Sequence, residues 1–271
     1  MILAIAFIFG VTIGSFLNVV ILRIPKEESV VFGGSHCTSC GENLKPWHNI
    51  PLFSWIFLAG KCSYCKAKIS IQYPLIELIS GFIFLLIAAK FGLSLPVLLI
   101  TSSFFMLLAL SVIDLKYKMV PDSLNLLAII FAILGAWSPS AIMINFQNAL
   151  LFAGGFTLLR FSLSYYLTSS AQRYAKKTIT PWTKNYHTYP FIEAMGEGDI
   201  MVGATMGALL GVKLTLAAIF LSALLALPIM IFLMSKTKEP ITVPFVPFLA
   251  AATFLVYIFD SQVLSYIEGL Y

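Results

Sequence analysis

Two aspartates at the borders of long apolar segments are the residues best placed to do chemistry in this sequence. Asp114 ends one apolar segment, and Asp199 begins another directly after Gly-Glu-Gly. A carboxylate at a membrane boundary is costly to desolvate, so its presence there indicates a function. Two carboxylates that meet can share one proton and activate a water molecule. That chemistry is typical of an aspartic protease.

The two aspartates can divide the work of an acid and a base. The ionised carboxylate takes a proton from water, and the protonated one polarises the scissile carbonyl and donates to the leaving amine. A helix N-terminus stabilises an anion, which favours Asp199 as the base and leaves Asp114 as the acid. The positive charges of Lys116 and Lys118 favour the ionised form of Asp114 and so act against this assignment. The structural alternatives are that Asp199 is a helix N-cap and that Asp114 pairs with a lysine, while Asp122 is interpreted as a helix-start residue.

The segments that must position these residues are membrane spans. Of the 271 residues, 59% are apolar and 11% are charged, whereas soluble chains carry roughly 25% charged residues. A span needs about 20 apolar residues. We therefore predict an all-α polytopic membrane protein with about eight transmembrane helices, at 1–22, 74–92, 95–114, 121–138, 145–168, 199–212, 213–234 and 242–260.

Small residues recur at helical spacing in two of these spans. Stripes of this kind allow two helix backbones to approach closely, and they are formed by Gly10, Gly14, Gly203, Gly207 and Gly211. The span 199–212 is short and can continue directly into the next one at Gly211.

The basic residues give the predicted orientation. With the N-terminus outside, the cytoplasmic gaps hold all but three of the 17 Lys and Arg residues; these gaps are 23–73, 115–120, 169–198 and 235–241. This is the distribution that the positive-inside rule requires, so both aspartates are expected at the cytoplasmic face. The net charge of +5 therefore reports orientation and does not indicate nucleic-acid binding. Because segment 1–22 has no basic region before it and no small-residue cleavage site after it, we interpret it as a retained anchor.

The predicted domain organisation has three parts. A first transmembrane helix at 1–22 precedes a cytoplasmic four-cysteine insert at 23–73, and a seven-helix membrane core occupies 74–271. The core carries a cytoplasmic loop at 169–198 that is rich in basic and aromatic residues. This loop is expected to be amphipathic or to contact lipid headgroups; the role of 169–195 stays open.

All four cysteines lie in the insert, as two CxxC pairs: Cys37, Cys40, Cys62 and Cys65. Two such turns make a tetrahedral zinc site. The alternatives are two disulfides or four unrelated thiols, but disulfides rarely persist in a cytosolic segment. Four thiolates leave no open coordination position, so the predicted zinc is structural. His36 and His48 are close in sequence and are not expected to be ligands.

Glu77 is a further buried carboxylate, early in the second predicted span. Two interpretations stay open: a structural ion pair with Arg23, or membership of a second functional site. In the second case Glu77 is a candidate cofactor-binding residue.

The ordered motifs of the chain resemble the type IV prepilin peptidases, bifunctional leader peptidase/N-methyltransferases of the GxGD type. The likeness covers nearly the whole chain, and its motifs are GSFLNVVILRIP at 14–25, CTSC at 37–40, WHNIPLFSWIFLAGKC at 47–62, YPLIEL at 73–78, DLKYKMVPDSLN at 114–125, GEGDIMVGATMGALLG at 196–211 and VPFVPFLAAA at 243–252. The chain departs from the family's pattern at Gln72 and Met201, where Arg and Lys are frequent.

The resemblance implies an eight-span aspartic endopeptidase of the bacterial inner membrane. Asp114 and Asp199 match the family's two catalytic aspartates. The implied substrates are prepilins and pseudopilins of type IV pilus and type II secretion systems, cleaved after a glycine at the cytoplasmic face. The resemblance also implies methylation of the new N-terminal amine with S-adenosylmethionine. No glycine-rich loop between a strand and a helix is present to hold that cofactor, so its site is unknown apart from Glu77 as a candidate.

Two other hypotheses remain at this point. The chain could be a peptidase without methyl transfer, or a non-enzymatic channel, carrier or assembly factor with a zinc-stapled domain. A carrier should place polar groups near mid-membrane, and the predicted spans offer little beyond Arg160 and Glu77. A presenilin-like protease would share GxGD but would not account for the cysteine insert.

Overall fold

The computed structural model describes residues 1–178, 193, 195–236 and 243–269, and it is dominated by helices. The helices are α1 (Ile2–Arg23), α2 (Phe53–Phe57), α3 (Gln72–Phe91), α4 (Leu95–Tyr117), α5 (Asp122–Leu134), α6 (Pro139–Thr178), α7 (Glu197–Lys236), α8 (Val246–Ile258) and α9 (Asp260–Glu268). Short 3-10 helices cover Ile24–Lys26 and Pro46–Asn49. The expected all-α architecture is confirmed.

Several helices are suited to cross a membrane. Within the described ranges five are long and apolar enough, namely α1, α3, α4, α6 and α7, and α8 with α9 would make a sixth if that pair, bent by 84°, is one span. The chain is therefore a multi-pass membrane protein. The predicted count of eight is not reached by this measure, because α5 and α8 have 13 residues each, fewer than the about 20 that a full span needs.

The predicted spans 199–212 and 213–234 form one 40-residue element, α7, with a sharp break at Gly211. Gly211 has φ 70° and ψ −179°, a conformation that glycine adopts at little cost. The Thr215 hydroxyl donates to the carbonyl of Met206 at 3.2 Å; in a straight helix these residues would be about 13 Å apart along the axis. The chain therefore turns back at Gly211, so this glycine makes a break rather than part of a packing stripe.

The other predicted small-residue stripes do lie at close helix contacts. A Cβ on Gly14 of α1 would be 2.7 Å from the Cα of Glu77 in α3, and one on Gly207 of α7 would be 2.6 Å from the carbonyl oxygen of Asn148 in α6. No side chain fits at such distances. Glycine at these positions therefore permits the α1–α3 and α6–α7 packing on which the core is built.

The ends of α3, α8 and α9 meet on the side away from the aspartates. The Lys90 ammonium at the end of α3 binds the carbonyl oxygens of Tyr257 and Ile258 and, at 2.7 Å, the carboxylate of Asp260. Lys213, just after the break in α7, pairs with Glu268 of α9 at 3.6 Å. These are two of the three basic residues that sequence analysis assigned to positions outside the cytoplasmic gaps.

The outer surface of the helices is strongly apolar. Phe16 of α1 is 53% exposed, Phe161 of α6 is 69% exposed and Phe220 of α7 is 67% exposed. Such side chains are costly to leave in water but not in hydrocarbon, as expected for helices whose outer faces contact lipid.

The four-cysteine insert has little core of its own. Between residues 27 and 71 only Gly60 and Cys62 are fully buried. Two isolated antiparallel bridges, His36 with Asn43 and Lys61 with Lys68, shape it. The insert therefore depends on something other than apolar packing for its structure.

The predicted loop at 169–198 begins as helix, because α6 continues to Thr178. This corrects the predicted start of the loop. Most of the rest, 179–192 and 194, lies outside the described residues.

Candidate active site and metal centre

Asp114 lies in the last turn of α4. The helix ends just beyond it, where Lys118 adopts a left-handed conformation and its N–H bonds the carbonyl of Asp114 at 2.9 Å. The Asp114 side chain is 7% exposed. Its Oδ2 accepts a hydrogen bond of 3.2 Å from the backbone N–H of Val246, the first residue of α8. The VPFVPF segment thus brings a helix N-terminus to this carboxylate.

Asp199 lies in the first turn of α7 and is half-buried. The backbone N–H of Gly196 donates to its carboxylate, and the carboxylate interacts electrostatically with that of Asp114. The structure therefore brings together the two aspartates that the sequence analysis singled out, although they are far apart in the chain.

Two contacts hold the Gly-Glu-Gly-Asp turn against α5 and the segment before it. The Asn125 amide donates to the carbonyl of Gly198 at 3.4 Å. A Cβ on Gly198 would be 2.5 Å from the Cβ of Val120, so any larger residue would push the turn away from Val120. The sequence alone did not predict this close approach.

Arg160 is the residue of the site that sequence analysis missed. Its guanidinium, in α6, binds Glu197 at 3.0 Å and Glu193 at 3.3 Å, so it ties α6 to the residues flanking Asp199. The available signal was that Arg160 lies in the interior of a predicted span, whereas Lys90 and Lys213 lie at span ends, and an interior charge calls for a partner.

The geometry also changes the expected division of roles. Asp199 lies at the N-terminus of α7, as predicted, but Asp114 also faces a helix N-terminus, that of α8. Helix dipoles therefore no longer separate a base from an acid. Asp122 starts α5, as expected.

The four cysteines form a cluster suited to a metal ion. The sulfurs of Cys37, Cys40, Cys62 and Cys65 all lie within 4.8 Å of one another. The Cys37 and Cys65 sulfurs are 3.8 Å apart, close to the edge of a tetrahedron with Zn–S bonds of about 2.3 Å. None of the four is in a disulfide. A four-sulfur donor set of this shape fits a tetrahedral metal such as zinc.

The two halves of the cluster have the same backbone design. In the first turn the N–H of Gly41 bonds the carbonyl of Cys37, and in the second the N–H of Lys66 bonds the carbonyl of Cys62. The residue that directly follows each CxxC pair has positive φ, 73° at Gly41 and 60° at Lys66. The second turn therefore places a lysine in a conformation that favours glycine.

Backbone N–H groups also prepare the cluster for a cation. Those of Cys40 and Ser39 donate to the Cys37 sulfur and lower the pKa of this thiol to about 6. A thiolate is the form that binds a metal. His36 and His48 are not in the cluster, as expected; the His48 ring packs on the Tyr64 ring at 5.5 Å.

Glu77 and Arg23 do not form the ion pair that was one of the two interpretations. The Glu77 carboxylate accepts the N–H of Leu52 at 2.7 Å and the hydroxyl of Ser15. The Arg23 guanidinium instead donates to four carbonyl oxygens of the insert, those of Ser29, Phe32, Gly33 and Gly34. Both residues thus hold the insert to the membrane helices independently.

Comparison with known proteins gives matches along nearly the whole chain. The Bacterial Peptidase A24 N-terminal domain matches residues 8–91, and the Type IV leader peptidase family matches residues 101–231. A prepilin leader peptidase/N-methyltransferase of Xanthomonas campestris is 32% identical, with 94% of this chain and 91% of the relative covered. The chain belongs to the type IV leader peptidase family.

Other members of this family give the same result. The prepilin leader peptidase/N-methyltransferase of Neisseria gonorrhoeae is 34% identical over 82% of this chain and 79% of its own length. That of Bacillus subtilis is 29% identical over 97% of both chains. No solved structure matches the chain. The resemblance drawn from the ordered motifs is confirmed.

Proposed function

We propose that this chain removes the leader peptide of type IV prepilins and pseudopilins and then methylates the new N-terminus. The observation that carries the peptidase half is that Asp114 and Asp199, from two distant helices, lie within electrostatic range of each other. The relatives named above, which are prepilin leader peptidase/N-methyltransferases by name, support both halves.

In the proposed cleavage the two carboxylates share one proton, because two like charges at close range do not both ionise easily. The ionised carboxylate takes a proton from a water molecule, whose oxygen attacks the scissile carbonyl carbon. The protonated carboxylate hydrogen-bonds the carbonyl oxygen and later protonates the leaving amine. The N–H of Val246 holds Asp114 in place, and Arg160 holds the turn that carries Asp199.

The distribution of basic residues favours a cytoplasmic site in the inner membrane with the N-terminus outside, and the helix ends are arranged as that orientation requires. The ends of α1, α4 and α6 and the starts of α3 and α7 belong to the aspartate side, and the Lys90 and Lys213 ion pairs lie on the other. The turn at Gly211 gives α7 two arms. If α5 and α8 each cross the membrane as well, the chain makes eight traversals, the number expected from the sequence. We expect the apolar outer surface to contact membrane lipid, and we expect no nucleic-acid partner.

The four cysteines would hold a structural zinc ion. Four sulfurs leave no open position for a substrate, so the metal would fold the insert and take no part in hydrolysis. The methyl donor would be S-adenosylmethionine, which supplies an electrophilic methyl group to the amine released by cleavage.

The test is to incubate the purified chain with a synthetic prepilin, with and without S-adenosylmethionine, and to read product masses. Loss of the leader is expected in both samples, and one added methylene mass only with the donor. An uncleaved prepilin would contradict the peptidase assignment. Cleavage without added mass would leave the second candidate, a peptidase without methyl transfer.

A further inference from the structure

A cavity with a volume of about 460 Å³ lies between the four-cysteine insert and the adjacent ends of α1, α3 and α4. Cavities that bind small molecules typically measure roughly 300–1,000 Å³. Cys37 and Cys62 belong to one wall, and Glu77 and Lys116 belong to the other. The cavity therefore joins the metal cluster to the helix that carries Asp114.

Two polar atoms on the cavity wall lack partners. His48 Nδ1 and Gln72 Oε1 are buried and have no hydrogen bond to any described residue. The orientation of Gln72 is fixed by its amide nitrogen, which donates to Oδ1 of Asn18 at 3.4 Å. Buried polar atoms are almost always hydrogen-bonded, either to protein or to water, so these two atoms are available to a polar group that enters the cavity.

The charges and rings of the wall narrow the chemistry of that ligand. The Glu77 carboxylate is 6% exposed, and the two bonds it accepts leave acceptor capacity unused. No described carboxylate lies within ion-pair distance of Lys116. The half-buried rings of Trp55 and Tyr73 complete the wall. The lining also carries Glu28, Lys26, Lys68 and Arg23, of which Arg23 is bound to carbonyl oxygens of the insert. Anions, cations and aromatic faces around one cavity suit a zwitterionic nucleoside.

We propose that this cavity binds S-adenosylmethionine. Glu77 attracts the positive groups of the donor, Lys116 attracts its carboxylate, and the aromatic rings contact the adenine. Gln72 and His48 hydrogen-bond its polar edges. This assignment rests on the methyl transfer in the proposed function and adds where the donor is held.

The position of the cavity suits the order of the two reactions. Lys116 follows Asp114 by two residues at the end of α4, so the amine freed at the aspartates is released beside the cavity. The amine nitrogen then forms a bond to the methyl carbon while the carbon–sulfur bond breaks. The electron pair of the carbon–sulfur bond stays on sulfur, which becomes a neutral thioether. The methylated ammonium then releases a proton to solvent.

Direct binding tests the site without relying on turnover. Equilibrium dialysis of S-adenosylmethionine against the purified full chain in detergent compares wild type with Glu77→Gln and Gln72→Leu. The glutamine variant keeps an oxygen for the N–H of Leu52 but removes the negative charge. We expect about tenfold weaker binding in each. The matched controls Glu268→Gln and Gln147→Leu, on exposed positions outside the cavity, should bind as wild type does. Wild-type affinity in both cavity variants would overturn the site.

Cross-linking tests the site in the wild-type chain and therefore does not depend on the folding of any variant. Ultraviolet irradiation with methyl-labelled S-adenosylmethionine, followed by peptide mapping, should place the adduct on Trp55 or Tyr73. An adduct confined to α6, α7 or α8 would overturn the site.

The outcomes separate the two proposals. If the chain binds and uses the donor but the adduct lies outside the cavity, only the proposed location of the donor is wrong. If the wild-type chain cleaves prepilin but neither binds nor uses the donor, the proposed methyl transfer is wrong, and the proposed donor site is wrong as well.

Discussion

The membrane core and the four-cysteine insert are built on different physical principles. In the core, large side chains such as Leu17, Leu110, Met206 and Leu249 are almost completely buried. In the insert, from 27 to 71, the only buried residues are the small Gly60 and Cys62. Burying an apolar side chain stabilises by about 1.5–3 kcal/mol. The core is therefore held by packing, whereas the insert depends on its sulfur cluster and its bonds to the core.

This contrast suggests how two activities can share one chain. The aspartates belong to rigid helices whose packing needs no metal. The cavity that we assign to the methyl donor has one wall from each region, Glu77 from the core and Cys37 from the insert. Cleavage should therefore follow the integrity of the core, and donor binding should follow the integrity of both regions.

The largest expected effect is in the core. Asp199→Asn removes an ionisable member of the pair, so the rate of leader cleavage should fall by about 10³-fold or more. Donor binding should persist, because Asp199 is not part of the cavity wall. Gel analysis of prepilin processing, together with dialysis, measures both. Simultaneous loss of leader cleavage and donor binding would show that the core and the insert do not act separately.

Loss of the metal should have the next largest effect, and on the insert. Cys62→Ser, or treatment with a zinc chelator, should unfold the insert because bound metal supplies much of the folding free energy of such small units. Donor binding should then fall further than leader cleavage, with zinc content measured by mass spectrometry on the same sample. Equal loss of the two activities would mean that the insert also supports the aspartates.

Arg160 tests whether the core alone positions Asp199. Arg160→Gln removes two charge-assisted bonds, and we expect kcat for cleavage to fall about tenfold with a smaller change in KM. Arg160→Lys should restore part of the loss. The matched control is Lys213→Gln, which breaks the pair with Glu268 just after the break in α7. If both glutamine variants behave alike, Arg160 has no positioning role.

The smallest expected effect separates the two cysteine turns. Gly41→Ala places a side chain at positive φ and should weaken metal retention by about 1 kcal/mol, whereas Lys66→Gly relieves the same strain and should strengthen it slightly. Competition with a chelator, followed by zinc release from the full chain, measures both. Identical responses would contradict the strain that we attribute to Lys66.

Sequence patterns predicted the parts of this molecule that are local or chemically unusual. The aspartates at segment borders, the spacing of the CxxC pairs and the small-residue stripe of α1 are visible in short stretches of chain. Arg160 and Glu77 were visible as isolated charges, but their partners were not, because Glu193, Glu197 and Leu52 reach them only through tertiary folding. Likewise, apolar length alone did not distinguish a break at Gly211 from an ordinary packing glycine.

The most direct test of the central claim is cleavage of a synthetic prepilin by Asp114→Asn, Asp199→Asn and the double variant, measured as initial rates with purified protein. Residues that act as one unit are not additive. We therefore expect each single variant to lose essentially all activity and the double variant to be no slower than either. Single variants with partial losses that multiply in the double variant, or one that cleaves at the wild-type rate, would contradict a shared aspartyl site.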